Sequence, residues 1–546
     1  MTRQTKRLIS GVMILSFSGL IVKLINILYK WPLTNMVGLT TMGYFNTIYP
    51  TYLVLTAASL VGIPATISKL VAEEREAGRI GAAHQIFRAG LLCSSTLGIV
   101  SGIIFLVLPS YANLLAWEPE IRYVLWGLAI APLMIAVSGA IRGYFQGMQN
   151  MVPTAVSQIV ENVFKVALGV GLVYLLMKQG QPDYISISGA TIGISLGFVL
   201  ATAYLIWQYY RLRSSFLDNG SLLSDQKMAV VSKEADRSQH QQLLHNIRKI
   251  LWIAIPITIS SAMVSIMGFV DSVMIYHVLG AIGFSQETAR TIHSSVTTAQ
   301  TVINVPLAIS AALAVSVLPA IAVAGVRRDQ TEMNDKINAA LQLATKVALP
   351  STVGIFLLAG PILTLLYREK IDASLLQIYS ICMLFMILAQ SVSSILQGLS
   401  GYYKTLLAVV IAVAFKIGSN LLLMITGLGG AALIWSSLIY FMIIFGINYY
   451  FLKKETKLTL DRGRIIWKPL LASICMGVAV WLSYYGSLSW LSKNKISVIL
   501  SVMVAIPVYV IVMLLLKGFT VEEILILPKG QKVLSYLHRK NLIKEE

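Results

Sequence analysis

The fold class this sequence predicts is an all-α membrane protein of about fourteen transmembrane helices. They form two parallel six-helix bundles, related by a pseudo-twofold along the membrane normal, plus two C-terminal helices. Three observations predict it. Hydrophobic residues fill 56% of the 546 positions and charged residues only 12%, about half the roughly 25% usual in soluble domains. The apolar residues fall in blocks of about 20 or more, enough at about 1.5 Å per residue to cross a hydrocarbon core of about 30 Å. The basic residues gather in the short segments between alternate blocks, as the positive-inside rule requires.

In order, the blocks run over 9–30, 45–70, 86–109, 121–146, 153–177, 185–210, 250–279, 295–324, 339–366, 374–398, 404–426, 429–452, 465–486 and 496–516. The first follows the basic segment Met1–Arg7 and superficially resembles a signal peptide. It is too long, lacks an A-x-A-like cleavage site and carries Lys23, so a retained helix is expected. With the N-terminus inside, the cytoplasmic segments are 1–8, 71–85, 142–152, 211–249, 325–338, 399–404, 453–468 and 517–546. These hold most of the 43 Lys and Arg residues and place both termini in the cytoplasm. Residues 211–249 are polar, mixed in charge and short of aromatics, the composition of a mobile linker. The expected domains are therefore a first bundle (1–210), a cytoplasmic linker (211–249), a second bundle (250–452), an extra helix pair (453–516) and a cytoplasmic tail (517–546).

The halves repeat. Gln146-Gly147 closes span 4 and Phe164-Lys165 lies in span 5; at an offset of 251 stand Gln397-Gly398 and Phe415-Lys416. Earlier, LTAASLVGIPATI (55–67) matches AISAALAVSVLPAI (308–321), pairing Pro64 with Pro319. Six helices is an even number, so both copies enter the membrane in the same sense. Such parallel repeats belong to transporters, with a cavity between the bundles.

Charges inside the spans are the candidate functional groups, because each costs roughly 2.5–3.5 kcal/mol at a helix centre. Lys23 and Lys30 lie seven apart with Asn26 between them, one polar stripe along helix 1. Two ammonium groups there can hold a phosphate or pyrophosphate, or, for Lys30 at the helix end, snorkel to the interface. Glu161 precedes Lys165 by four residues, the orientation of an intrahelical pair. Asp271 has no partner within its own span except the distant His277, so it either meets a lysine from another helix or lines water. Lys416 is the second-half counterpart of Lys165, and Lys346, near a span end, is expected to snorkel. Arg142 opens Arg142-Gly143-Tyr144-Phe145-Gln146-Gly147, and Gly139, Gly143 and Gly147 form a small-residue ridge for close helix packing. Prolines within spans, Pro64 and Pro319 among them, bend helices and free carbonyls.

Other chemistries find no support. A net charge of +19 would suit nucleic acid, but the cations lie in dispersed loops and not on one folded face. Cys93, Cys382 and Cys475 fall inside apolar blocks without ligand spacing, so small buried residues and no metal are expected. There is no P-loop. Gly193-Ile194-Ser195-Leu196-Gly197 matches a nucleophile elbow but lies mid-helix, where it reads as a GxxxG packing face. No enzyme is expected.

The stretch SGAIRGYFQGMQNMVPTAVSQIVENVFKV (138–166) resembles the helix 4–5 signature of the stage V sporulation protein B group. GYFNTIYPTYLVLTAASLVGIPATISKLVAE (43–73) is similar to the same group. That group, with the MurJ-type lipid II flippases, belongs to the multidrug/oligosaccharidyl-lipid/polysaccharide (MOP) exporter superfamily. The resemblance implies a bacterial plasma membrane and alternating access without ATP hydrolysis. It implies a cationic cavity for an undecaprenyl pyrophosphate and a groove by the last two helices for the polyprenyl tail. By resemblance, Lys23 stands where Gram-negative flippases carry a helix-1 arginine. Tyr44, Thr301 and Asn304 replace that group's aspartate, arginine and glutamate. The expected cavity set is Lys23, Asn26, Lys30, Glu161, Lys165, Asp271, Asn304 and Lys416; Arg142, Gly143, Gly147, Pro64 and Pro319 are expected to be structural or gating residues. The expected cargo is lipid II, the alternatives being another polyprenyl-linked polysaccharide precursor, a drug in a cation-coupled antiporter, or no cargo in a division scaffold. No cofactor is expected beyond coupling to the membrane potential or a monovalent cation. The expected partners are a lipid-linked glycan, the bilayer, and proteins of cell-wall synthesis or division, with no nucleic acid.

Overall fold

The computed structural model describes residues 3–218, 234–327, 330–399, 401–491 and 494–519, all in helices and short turns. The side chains of Lys23, Asn26 and Pro319 lie outside the described residues. In chain order the helices are α1 (Arg3–Ala57), α2 (Ile63–Glu76), α3 (Ile80–Val107), α4 (Arg122–Leu128), α5 (Ala131–Gly147), α6 (Val152–Lys178), α7 (Asp183–Ser186), α8 (Ser188–Asp218) and α9 (Glu234–Ser261). There follow α10 (Met263–Ala281), α11 (Gln286–Arg327), α12 (Gln330–Leu357), α13 (Ala359–Leu366), α14 (Ala373–Gly398), α15 (Tyr402–Ile425), α16 (Gly430–Thr456), α17 (Lys468–Leu491) and α18 (Asn494–Leu515). Twelve helices among the described residues are long and apolar enough to cross a membrane.

Several predicted spans are built from two helices; proline accounts for the division of three of them, while 250–279 divides at Ala262 without one. Pro132 and Pro361 stand in the first turns of α5 and α13, where a missing N–H costs nothing. The predicted spans 121–146 and 339–366 break just before them. A single π turn, Ala58–Gly62, precedes Pro64, which cannot donate to the carbonyl four residues back. The long α1 is interrupted at Gly38, whose φ of 82° and ψ of 169° suit glycine. Pro256 and Pro350 sit inside unbroken helices.

Parts of the 211–249 segment expected as a linker are helical. α8 continues to Asp218 and α9 begins at Glu234. Neither flank contains glycine or proline, and residues such as Gln, Leu, Arg and Lys extend a helix at little cost.

By packing, the chain falls into two compact units. One comprises Met1–Thr297 with Thr405–Gly429, the other Thr298–Lys404 with Gly430–Glu546. In the first unit, the glycine ridge of α5 lies against the π turn and α2. A Cβ on Gly143 would stand 2.6 Å from the Pro64 carbonyl oxygen, and one on Gly147 2.7 Å from Val71. Likewise a Cβ on Gly197 of α8 would come within 2.6 Å of the Glu161 carbonyl oxygen on α6, and Gly193 faces Gly169. Both small-residue motifs therefore serve close helix approach, as expected. In the second unit α14 lies between α12 and α16, and α17 and α18 pair along α12 and α13. Its buried polar residues include Asn448, whose Nδ2 donates to Ser393 Oγ at 2.8 Å, and Lys346, whose ammonium lies 5.2 Å from the centre of the Phe519 ring and does not snorkel free of the protein as expected. Cys93 and Cys382 are buried, whereas Cys475 is exposed on the face of α17 that carries Leu471, Ile474 and Val478. That corrects the expectation that all three cysteines are interior.

Candidate functional site

The buried ion pairs among the described residues lie in the first unit. The deepest of them joins α10 to α15. Lys416 Nζ stands 2.8 Å from Asp271 Oδ1, with the lysine side chain fully buried. Asn420 Nδ2, one turn beyond Lys416, donates to the same oxygen at 2.9 Å. The two readings open for Asp271 thus resolve to a lysine from another helix.

Glu161 was expected to pair with Lys165 along its own helix. Instead Arg142 reaches from α5, its guanidinium 2.8 Å from Glu161 Oε2, and its Nε donates to Ser157 Oγ at 2.9 Å. A guanidinium presents several donors in one plane and satisfies a carboxylate and a hydroxyl together, which an ammonium in the same helix cannot match. Lys165 donates to Asn162 Oδ1 at 2.8 Å and lies 5.6 Å from the centre of the Tyr29 ring. Arg142 is therefore an interior ion-pair partner beside the glycine ridge. Gly143 and Pro64 meet directly.

A third cluster joins α1, α10 and the beginning of α11. Lys30 Nζ donates to Asn46 Oδ1 at 3.3 Å and lies over the Tyr49 and Phe45 rings at 5.3 and 5.9 Å. Asn46 Nδ2 donates to Ser294 Oγ at 3.2 Å, and the neighbouring Thr47 shares a 2.6 Å hydrogen bond with the Tyr276 hydroxyl. Tyr276 meets the His293 ring edge to face, the centroids 6.4 Å apart. Ser294, which Asn46 joins to Lys30, is the next residue along α11 from His293. One turn earlier, Arg290 pairs with Glu118 and stacks on Tyr44, 4.0 Å from the ring centre. Gly43 makes room for it, since a Cβ there would collide with the arginine stem.

The buried acids among the described residues are Glu161 and Asp271, and each is taken by a cation of another helix. Half-buried Lys30 has no carboxylate partner among the described residues. The site can therefore accept negative charge. Lys23 and Asn26, expected on the same stripe, lie outside the described side chains. Asn304 belongs to the second unit and is exposed.

Arg290, His293 and Glu118 escaped the sequence reading. The polar run TIHSSVTTAQT led the eighth span to begin at 295, leaving them in a loop. The helix begins instead at Gln286 with Glu287 in its first turn. An acid in the first turn followed by residues at three- and four-residue spacing was the available signal. Among the described residues no cluster of His, Cys, Asp or Glu could hold a metal.

The second unit contains a cavity of about 870 Å³ lined by Pro361, Thr364, Tyr484, Asn494, Lys495 and Ile496. Asn494 closes one side, donating to Thr364 Oγ1 at 2.7 Å and accepting from the Tyr484 hydroxyl at 2.9 Å.

A family model described as "Polysaccharide biosynthesis protein" matches residues 8–322. Over 537 residues the chain is 25% identical to the uncharacterized membrane protein YabM of Bacillus subtilis (strain 168), covering 97% of this chain and 96% of that one. It is 24% identical to the lipid II flippase MurJ of the same organism over 504 residues, 87% of this chain and 88% of MurJ. The stage V sporulation protein B of that organism is 24% identical over 412 residues, 73% and 74% of the two chains. Among solved structures, a lipid II flippase MurJ in an inward closed conformation superposes with a TM-score of 0.63 at 13% identity, covering 92% of this chain and 98% of that one. An inward-facing multidrug resistance MATE family transporter of the MOP superfamily superposes with a TM-score of 0.61 at 14% identity, covering 81% and 98%. The all-helical, multi-pass fold is thus the MATE/MurJ-like fold of the MOP transporters.

Proposed function

The chain belongs to the polysaccharide biosynthesis protein family, and from that membership we propose that it is a flippase. It moves an undecaprenyl-pyrophosphate-linked cell-wall precursor, lipid II, from the inner to the outer leaflet by alternating access. The observation that carries this reading is Lys30, a half-buried ammonium held by an amide and two aromatic rings while the buried acids of the same unit are neutralised by other cations. A pyrophosphate crossing hydrocarbon alone meets a prohibitive desolvation cost, and a fixed cation replaces the lost hydration. Lys23, seven residues earlier on the same helix, supplies a second cation in this reading. The 24% identity to a lipid II flippase over most of both chains supports lipid II as cargo. The paired state of Glu161 and Asp271 disfavours the cation-coupled antiporter, which needs an acid free to bind its ion.

We further propose that both termini are cytoplasmic, which the concentration of Lys and Arg in alternate loops supports. An inside-negative potential then favours outward movement of an anionic head group by about 2.3 kcal/mol per charge per 100 mV. The cavity at Tyr484 and Ile496, on the last two helices, offers apolar wall for part of a polyprenyl tail.

The test is a leaflet-resolved assay of lipid II in cells whose only flippase is this protein. Translocation should occur with the unaltered chain and fall at least about tenfold with Lys30→Ala at equal membrane abundance. Selective loss of a different surface polymer on deletion, with lipid II unaffected, would transfer the reading to another polyprenyl-linked precursor.

A further inference from the structure

On α11, Arg290 and His293 stand three residues apart and so share a face. Both are buried, at 8% and 1% exposure. The Nε of Arg290 and both ring nitrogens of His293 find no hydrogen-bond partner among the described residues. An unmet buried polar atom costs about 1–3 kcal/mol, so three on one helix face mark a place where a further group belongs. The surroundings say what kind of group. Ser294 is linked through Asn46 to the Lys30 ammonium, and the Tyr276 hydroxyl donates to Thr47, whose own hydroxyl donates to the Gly43 carbonyl. Glu118 is the one carboxylate bonded to this cluster among the described residues, and Arg290 pairs with it through a different nitrogen. The unspent atoms are N–H donors, or an imidazole that presents one, close to a cation with no acid of its own.

We infer that this face of α11 is an oxyanion subsite, at which His293 and the Arg290 Nε donate to phosphate oxygens of the lipid-linked cargo while Lys30 supplies the charge. The inference rests on the proposed reading of Lys30 as a cargo-binding group and adds His293 as the residue that recognises the head group. Glu118 and Tyr44 hold the Arg290 guanidinium in position, and Gly43 leaves room for its stem.

The test is binding of undecaprenyl pyrophosphate to the purified full-length protein in detergent, with thermal unfolding measured in parallel. His293→Phe keeps a ring against Tyr276 and removes two unmet nitrogens, so its melting temperature should equal or exceed that of the unaltered protein. Its affinity should nevertheless fall at least about tenfold, the loss of a hydrogen bond to a charged group. His293→Gln, which retains a donor, should bind within a few-fold of the unaltered chain. His293→Leu carries the same expectation as the phenylalanine variant if that one fails to accumulate. Undiminished binding by a well-folded His293→Phe or His293→Leu overturns the subsite. If Lys30→Gln is weakened in the same experiment, the flippase reading stands without it; if Lys30→Gln also binds normally, or the unaltered chain does not bind, both fall.

Discussion

Lys165 on α6 and Lys416 on α15 stand 251 residues apart, each preceded by phenylalanine, yet the two regions treat them differently. Lys416 is wholly buried and is met by Asp271 and Asn420, contributed by α10 and its own next turn. Lys165 keeps 6% exposure and donates to Asn162 over the Tyr29 ring, while the acid four residues before it is claimed by Arg142. At the position of Glu161 the second copy has Ala412, so Lys416 has no acid to draw on within its own helix. The lesson is that a repeated lysine marks an interior position, while the residues that other helices bring beside it decide which groups meet it.

That contrast can be broken from either side. The largest effect is expected of Asp271→Ala, which takes the carboxylate from a fully buried ammonium and should cost about 3–5 kcal/mol of stability. It would be seen as a large drop in the melting temperature of the solubilised protein. Asp271→Leu combined with Lys416→Met should recover most of that loss, because an apolar pair replaces an ion pair at little net cost. Arg142→Ala comes next, at roughly 3 kcal/mol, since it leaves Glu161 without its guanidinium though not wholly sealed from solvent. The smallest effect is expected of Lys165→Met, on the order of 1–2 kcal/mol, because Glu161 keeps its ion pair with Arg142 and the packing is retained. A Lys165→Met variant as damaged as Asp271→Ala would erase the distinction between the two regions.

Much of this was legible in the residues. The all-helical membrane fold follows from hydropathy alone, though twelve of the described helices, against about fourteen expected, are long and apolar enough to cross. The ridge of Gly139, Gly143 and Gly147 correctly announced a helix packed at close range, because only glycine admits backbone at that distance. The intramembrane charges Glu161, Lys165, Asp271 and Lys416 were correctly singled out as interior. The partners were not legible. Glu161 and Lys165 have ideal intrahelical spacing, and only the placement of α5 beside α6 gives the acid to Arg142. Arg290 and His293 hid in a run polar enough to pass for a loop, and Glu118 reaches Arg290 from 172 positions away.

By itself, then, the sequence determined that this protein lives in a bilayer, which stretches cross it, and which charges must be kept from lipid. Those are consequences of the cost of desolvating each residue, a property carried locally along the chain. The tertiary structure alone decided which acid meets which cation, and that Lys30 meets none among the described residues. Pairing depends on distances between helices far apart in the chain, and no local spacing records them.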